Sequence, residues 1–165
     1  MKPLLLLAVL PLACASAAAA PEPAGPGKGA PKKDACEATG RVVFEIDHRV
    51  EPGAKLATST IRVHASGAWT RDESDADGRA LAQRSGCFAR ADLKQLESTL
   101  HGAPWKITKA QIHCMAVSST FTVYLVDGKT VFTQKLCSGE SLDDKSRAKL
   151  DAATAQVERE VAKTP

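Results

Sequence analysis

The sequence predicts an α+β domain: an antiparallel sheet with two helices packed on one face. Three observations lead there. Short alternating runs rich in β-branched residues recur along the chain. Asp127-Gly128 separates two such runs, which is a strong signal for a two-residue hairpin. Two longer segments, 89–100 and 141–162, carry apolar residues at helical spacing.

In chain order, residues 41–49 alternate Val42, Phe44 and Ile46 against Glu45, Asp47 and Arg49, with Val43 the exception. That is the pattern of a half-buried strand. Glu51-Pro52-Gly53 turns the chain, and 58–65 is a second alternating run with Ile61 and Val63 inward. Ser66-Gly67 breaks it, and Ala68-Trp69-Thr70 resumes it. Residues 72–78 read as an acidic loop and 79–84 as a short strand. In 89–100, Leu93, Leu96 and Leu100 share a helix face with Ala89, and His101, Gly102 and Pro104 mark the stop. Trp105, just beyond, is placed to cap the core. Residues 107–116 read as a strand feeding the hairpin of 121–126 and 129–136. There Phe121, Val123 and Leu125 are expected to share the core face with Phe132 and Leu136. Ser141-Leu142-Asp143-Asp144 reads as a capping box opening a helix to about Ala162, with Leu150, Ala153, Val157 and Val161 as its apolar stripe.

The domain organisation is equally direct. Residues 1–20 have the form of an export signal: Lys2, an apolar stretch over 4–13, then an Ala run offering A-x-A cleavage sites. Pro11-Leu12-Ala13-Cys14 also resembles a bacterial lipobox, so Cys14 is either lipidated or removed. Residues 21–35 hold four Pro, three Gly and three Lys with no large apolar side chain, the composition of a disordered spacer. Residues 36–165 remain for one domain. Without 1–20 the chain has 21 basic and 19 acidic residues, too balanced for a nucleic-acid binder that works by neutralising phosphates. The membrane is involved only through the candidate N-terminal lipid anchor.

Cys36, Cys87, Cys114 and Cys137 form an even set, expected to give two disulfides in an exported chain. Their spacings of 51, 27 and 23 lack the close pairs of a zinc site. In the hairpin register that pairs Val126 with Lys129, Ser118 faces Cys137. Cys114 is then about 13 Å away, beyond the roughly 7 Å limit between Cα atoms of a disulfide. This disfavours Cys114–Cys137 unless the strand bulges, and pairs each of Cys36 and Cys87 with one of those two.

Chemistry is sparse. Glu73-x-Asp75-x-Asp77-Gly78 opens like a calcium loop, but Arg84 stands where the bidentate carboxylate belongs. No G-x-S-x-G, P-loop or dinucleotide fingerprint occurs. His48 and His64 fall in predicted strands, and His113 precedes a Cys expected to be oxidised. No cofactor or metal is therefore expected, and any binding activity is assigned to the loops around 66–78 rather than to His48, His64, His101 or His113.

The run Ile61-Arg62-Val63-His64-Ala65-Ser66-Gly67-Ala68-Trp69, the Leu-striped helix of 86–100, the aromatic hairpin of 121–136 and the last helix resemble emfourin-type proteins, small bacterial inhibitors of thermolysin-like metalloproteases. The resemblance spans about Ile61 to Val161, with Ala68 in place of a second Gly. It implies an α+β binding domain acting on a secreted protease.

The reading is thus an exported, disulfide-stabilised, non-catalytic binding domain of the periplasm, cell envelope or extracellular space. Its expected partner is a protein, with a secreted metalloprotease first. Trp69 would anchor the contact, and Asp72, Glu73, Asp75 and Asp77 would bring a carboxylate toward the catalytic zinc. A lipid-anchored envelope protein with a scaffolding role is the alternative, and a small hydrolase the third reading.

Overall fold

The computed structural model describes residues 36–50, 57–109, 111 and 120–164. Its elements are β1 (Val42–Arg49), β2 (Thr58–His64), β3 (Ala68–Ser74), β4 (Ala80–Cys87), α1 (Arg90–His101), β5 (Ile107–Lys109), β6 (Phe121–Val126), β7 (Lys129–Lys135), β8 (Glu140–Leu142) and α2 (Asp144–Ala162). Among the described residues, six strands form one sheet in the order β4-β3-β2-β1-β6-β7, and β5 pairs with β8 in a second, small sheet. Every pairing is antiparallel, so the α+β class holds.

Strand alternation sorts the large sheet into two faces. On the face toward the helices, cross-strand partners form three rows. The upper row runs Gly86, Trp69, Val63, Phe44, Val126. The middle row runs Arg84, Arg71, Ile61, Ile46, Tyr124, Phe132. The lower row runs Ala82, Glu73, Ser59, His48, Thr122, Gln134. The upper row and Ile61, Ile46, Tyr124 and Phe132 of the middle row join one buried core with Leu93, Leu96 and Leu100 of α1 and Leu150, Ala153, Val157 and Val161 of α2. Gln156 of α2 donates to the Asp92 carbonyl of α1 at 2.7 Å, tying the helices together. Trp105 packs against this core, as its position after α1 predicts.

Several local expectations are corrected. Val43 is buried beside Phe44 because β1 bulges between Val42 and Phe44, which lets two consecutive side chains reach the core. The acidic stretch is strand as far as Ser74, since Asp72 and Glu73 each find a cross-strand neighbour, and only a tight turn remains at 75–79. The strand expected over 107–116 is described only for Ile107–Lys109, which pairs with β8 instead of leading into the hairpin.

In the hairpin, Asp127 and Gly128 both have positive φ, as a two-residue turn of this kind requires. β6 presents the face opposite to the expected one, while Phe132 of β7 is buried as expected and Leu136 is not. The β6–β7 register shifts between Tyr124 and Leu125, so Phe132 opposes Tyr124 rather than Val123. Tyr124, Val126 and Phe132 are buried, while Leu136 is 66% exposed. The N-cap of α2 is Asp143, not Ser141: its side chain accepts from the Ser146 backbone N–H at 2.8 Å, and Ser141 belongs to β8. Hydrogen bonds from the Ser146 hydroxyl first and its backbone N–H second favour the charged carboxylate and lower its pKa from the ordinary value.

The expected disulfide pairing is also overturned. Cys36 and Cys87 bond to each other, with Cα atoms 5.8 Å apart. The expectation extended the hairpin ladder to residues 118 and 137, but the ladder ends at Phe121 and Lys135, and Cys137 turns out of it with φ 66°. Cys137 is not a free thiol. Cys114 lies outside the described residues, as do Cys14, the export signal and the spacer.

Candidate functional site

The structure separates the residues that the sequence grouped as a binding loop. Trp69 is 1% exposed and lies over Gly86, where an added Cβ would approach its Cζ2 to 2.7 Å. It is a core residue. Asp72 points to the face away from the helices, accepting from Arg62 at 3.1 Å and from Gln83 at 2.9 Å. Glu73 points the opposite way and pairs with Arg71 at 2.6 Å. Successive strand residues face opposite sides, so these two carboxylates do not converge. Asp75 accepts from the backbone N–H of Asp77 at 3.0 Å and of Arg79 at 2.8 Å, a carboxylate turned inward to build its own turn. Asp77 alone projects from the turn, exposed and 3.9 Å from Arg79.

The histidines are likewise dispersed. His48 Nδ1 lies 2.7 Å from Thr122 Oγ1, and His101 Nε2 lies 3.1 Å from Asp127 at the hairpin tip. His64 Nδ1 is buried without a partner. His113 lies outside the described residues.

A different group comes together at the other end of the helix-side face. α1 covers the upper row, but beyond it only the C-terminal half of α2 overhangs the sheet. This leaves a cleft of about 580 Å³ between Thr154, Glu158, Val161 and Ala162 above and the middle and lower rows below. That volume falls in the range of about 300–1,000 Å³ common for small-molecule sites. One part of its floor is apolar: Ile46, Ile61 and Tyr124, each under 10% exposed. The other part is cationic: Arg71 and Arg84 lie directly opposite each other across β3 and β4.

The polar groups there are unevenly satisfied. Glu73 engages the outer nitrogen of Arg71, but Arg71 Nε is buried without a hydrogen-bond partner. Thr154 Oγ1 on α2 is also buried and unpartnered. Among the described residues the Arg84 guanidinium has no ion pair or hydrogen bond, and the α2 carboxylate at the cleft, Glu158, is exposed and acts on Tyr124. Buried groups without partners are few in native proteins, so two of them in one cleft are informative. The Tyr124 hydroxyl donates to Gln134 at 3.2 Å. Its pKa is raised, chiefly by burial and further by the carboxylates of Glu158 and Asp151, so it stays a neutral donor at physiological pH.

No family model, curated protein or solved structure matches the chain. The site therefore rests on geometry. Sequence reasoning placed Ile61 and Val63 inward, and the same alternation makes Ser59, Arg71, Arg84 and His48 inward too. Polar residues at inward positions of neighbouring strands were the available signal.

Proposed function

We propose that this chain is an exported, non-catalytic binding domain and that its ligand enters the cleft beneath the C-terminal half of α2. The observation carrying this reading is the half-buried pair Arg71 and Arg84, opposite each other beside an apolar floor of Ile46, Ile61 and Tyr124. A few fixed polar groups set in apolar walls are what small-molecule recognition uses. The neutral dye N-phenyl-1-naphthylamine tests it. Saturable one-to-one binding is expected, abolished by Ala162→Trp, which plugs the mouth at an exposed position. A dye that fails to bind, or binds the Trp variant equally, rejects the cleft as a ligand site.

Export and oxidation belong to the same proposal. The signal-like residues 1–20 and the Cys36–Cys87 bond support them. With that pair made, Cys137 is left to Cys114 as a second disulfide once residues 1–20 are removed. Alkylating the unreduced, unfolded exported protein should then label no thiol. Intact mass of the same sample separates removal of Cys14 from its lipidation, and so the free domain from the envelope-anchored alternative.

One observation favours the inhibitor reading as a second choice. The β3–β4 turn projects Asp77 from a rigid frame closed by Asp75, a preorganised tip able to offer a carboxylate to a metalloprotease zinc. It is distinguished by assay: inhibition of a thermolysin-like protease that is lost in Asp77→Asn supports it, and inhibition unchanged by that substitution removes the tip from the mechanism.

A further inference from the structure

The middle row of the sheet changes character along its length, and that gradient defines what the cleft can hold. From the β4 edge inward it reads Arg84, Arg71, Ile61, Ile46, Tyr124. At about 4.8 Å per strand, the four steps from Arg84 to Tyr124 span about 19 Å. One end is a double cation and the other is apolar. Resting on the cleft reading above, we propose that the ligand is an elongated apolar carboxylate, its head group clamped by Arg84 and Arg71 and its tail laid along Ile61, Ile46 and Tyr124.

Three features support the charge and its placement. Like charges directly opposite each other across two strands are destabilising, so the Arg71–Arg84 pair works against the fold unless an anion bridges it. Glu73 compensates only one of the two, and it leaves Arg71 Nε unused. Thr154 of α2 lines the same space, and turning its buried, unpartnered Oγ1 toward the cleft would supply a third donor. Guanidinium groups recognise carboxylates through paired N–H donors, and hydrogen bonds to an ionised partner are among the stronger ones. The remaining carboxylate at the cleft, Glu158, is exposed at the rim on α2 and penalises a second negative charge on the ligand, which favours a monocarboxylate with an apolar body.

Two sources carry this chemistry: a free fatty-type acid, or the C-terminus of a peptide ending in apolar residues. Calorimetric titration of the whole domain with decanoate, with decanol, and with Ala-Ala-Leu as free acid and as amide separates them. Binding of decanoate at least tenfold tighter than decanol, or of the free-acid peptide at least tenfold tighter than its amide, is expected, and the tighter of the two acids names the source. Arg84→Gln should weaken the bound acid at least tenfold while leaving the unfolding midpoint unchanged or raised. Arg79→Gln, in the distant β3–β4 turn, should leave binding untouched. If Arg84→Gln folds poorly, Arg84→Lys keeps the charge and should retain partial binding. Equal affinity for acid and neutral analogue, no binding of either acid, or indifference to both Arg84 variants overturns the carboxylate proposal. If the neutral dye still binds in those cases, the cleft reading survives; if it does not, both fall together.

Discussion

Two adjacent rows of one sheet face follow opposite rules. In the upper row Trp69, Val63, Phe44 and Val126 are buried under α1 and α2, and no charge intrudes. One step down, the middle row keeps Ile61 and Ile46 but ends in Arg71 and Arg84. The strands and the alternation are the same; the cover above differs. Where both helices close over the sheet, apolar side chains gain about 25 cal/mol for each Å² removed from water. At the end of the row that carries Arg71 and Arg84 the side chains are only half-buried, and cations are tolerated there. The comparison teaches that the upper row and the apolar part of the middle row hold the fold together, and that the Arg71–Arg84 end is free to hold something else.

The largest test of that division is Trp69→Ala. It should cost about 3–5 kcal/mol in urea unfolding, with Leu96→Ala on α1 close behind at about 2–5 kcal/mol. A loss near half a kcal/mol for either would mean the upper row is not the structural centre. Next comes Gly86→Ala. Its new Cβ would stand 2.7 Å from Trp69 Cζ2, within rigid ring atoms that have little room to move. Overpacking of this kind costs about 1–3 kcal/mol, and pairing it with Trp69→Leu should recover part of the loss if the clash is the cause.

The middle row should respond differently. Arg84→Gln is expected to change stability by no more than about half a kcal/mol, or to raise it, because it removes a like-charge neighbour without opening a cavity. A loss of several kcal/mol would make Arg84 structural and would remove the contrast between the rows. The smallest effect concerns pH. Tyr124 has a pKa raised above its ordinary value of 10.0 by burial first, then by Glu158 and Asp151. The unfolded chain thus gives up this proton at lower pH than the folded one. Its contribution is complete below the unfolded value and is lost as pH rises through the folded value. Tyr124→Phe should flatten this alkaline limb of the stability profile. An unchanged limb would mean that the hydroxyl is not desolvated by the cleft.

The long strands β1, β2, β6 and β7, both helices, the Asp127-Gly128 turn and the core leucines were legible because each is written in local periodicity or turn chemistry, whereas the three-residue strand β8 carries no such pattern. The errors came where one extra residue changed a register. A bulge in β1 admits Val43 to the core, and the shift in β7 turns Phe132 toward Tyr124; a single-residue slip exchanges the two faces of everything beyond it. The acidic group of Asp72, Glu73, Asp75 and Asp77 was read as a loop because charge density resembles a turn. Cross-strand partners of Asp72, Arg62 on β2 and Gln83 on β4, together with Arg71 beside Glu73 on the same strand, let the strand continue through it.

By itself the sequence determined the class of fold, the two helices, the central hairpin and which residues prefer to avoid water, since these follow from side-chain chemistry within a few positions of each other. Only the tertiary structure decided that Cys36 bonds Cys87, that Trp69 lies over Gly86, and that Arg71 and Arg84 meet under the end of α2. Each of these joins residues 13 to 51 positions apart, whose separation in space depends on strand order, bulges and where a helix ends. Those are properties of the packed whole, and no local pattern encodes them.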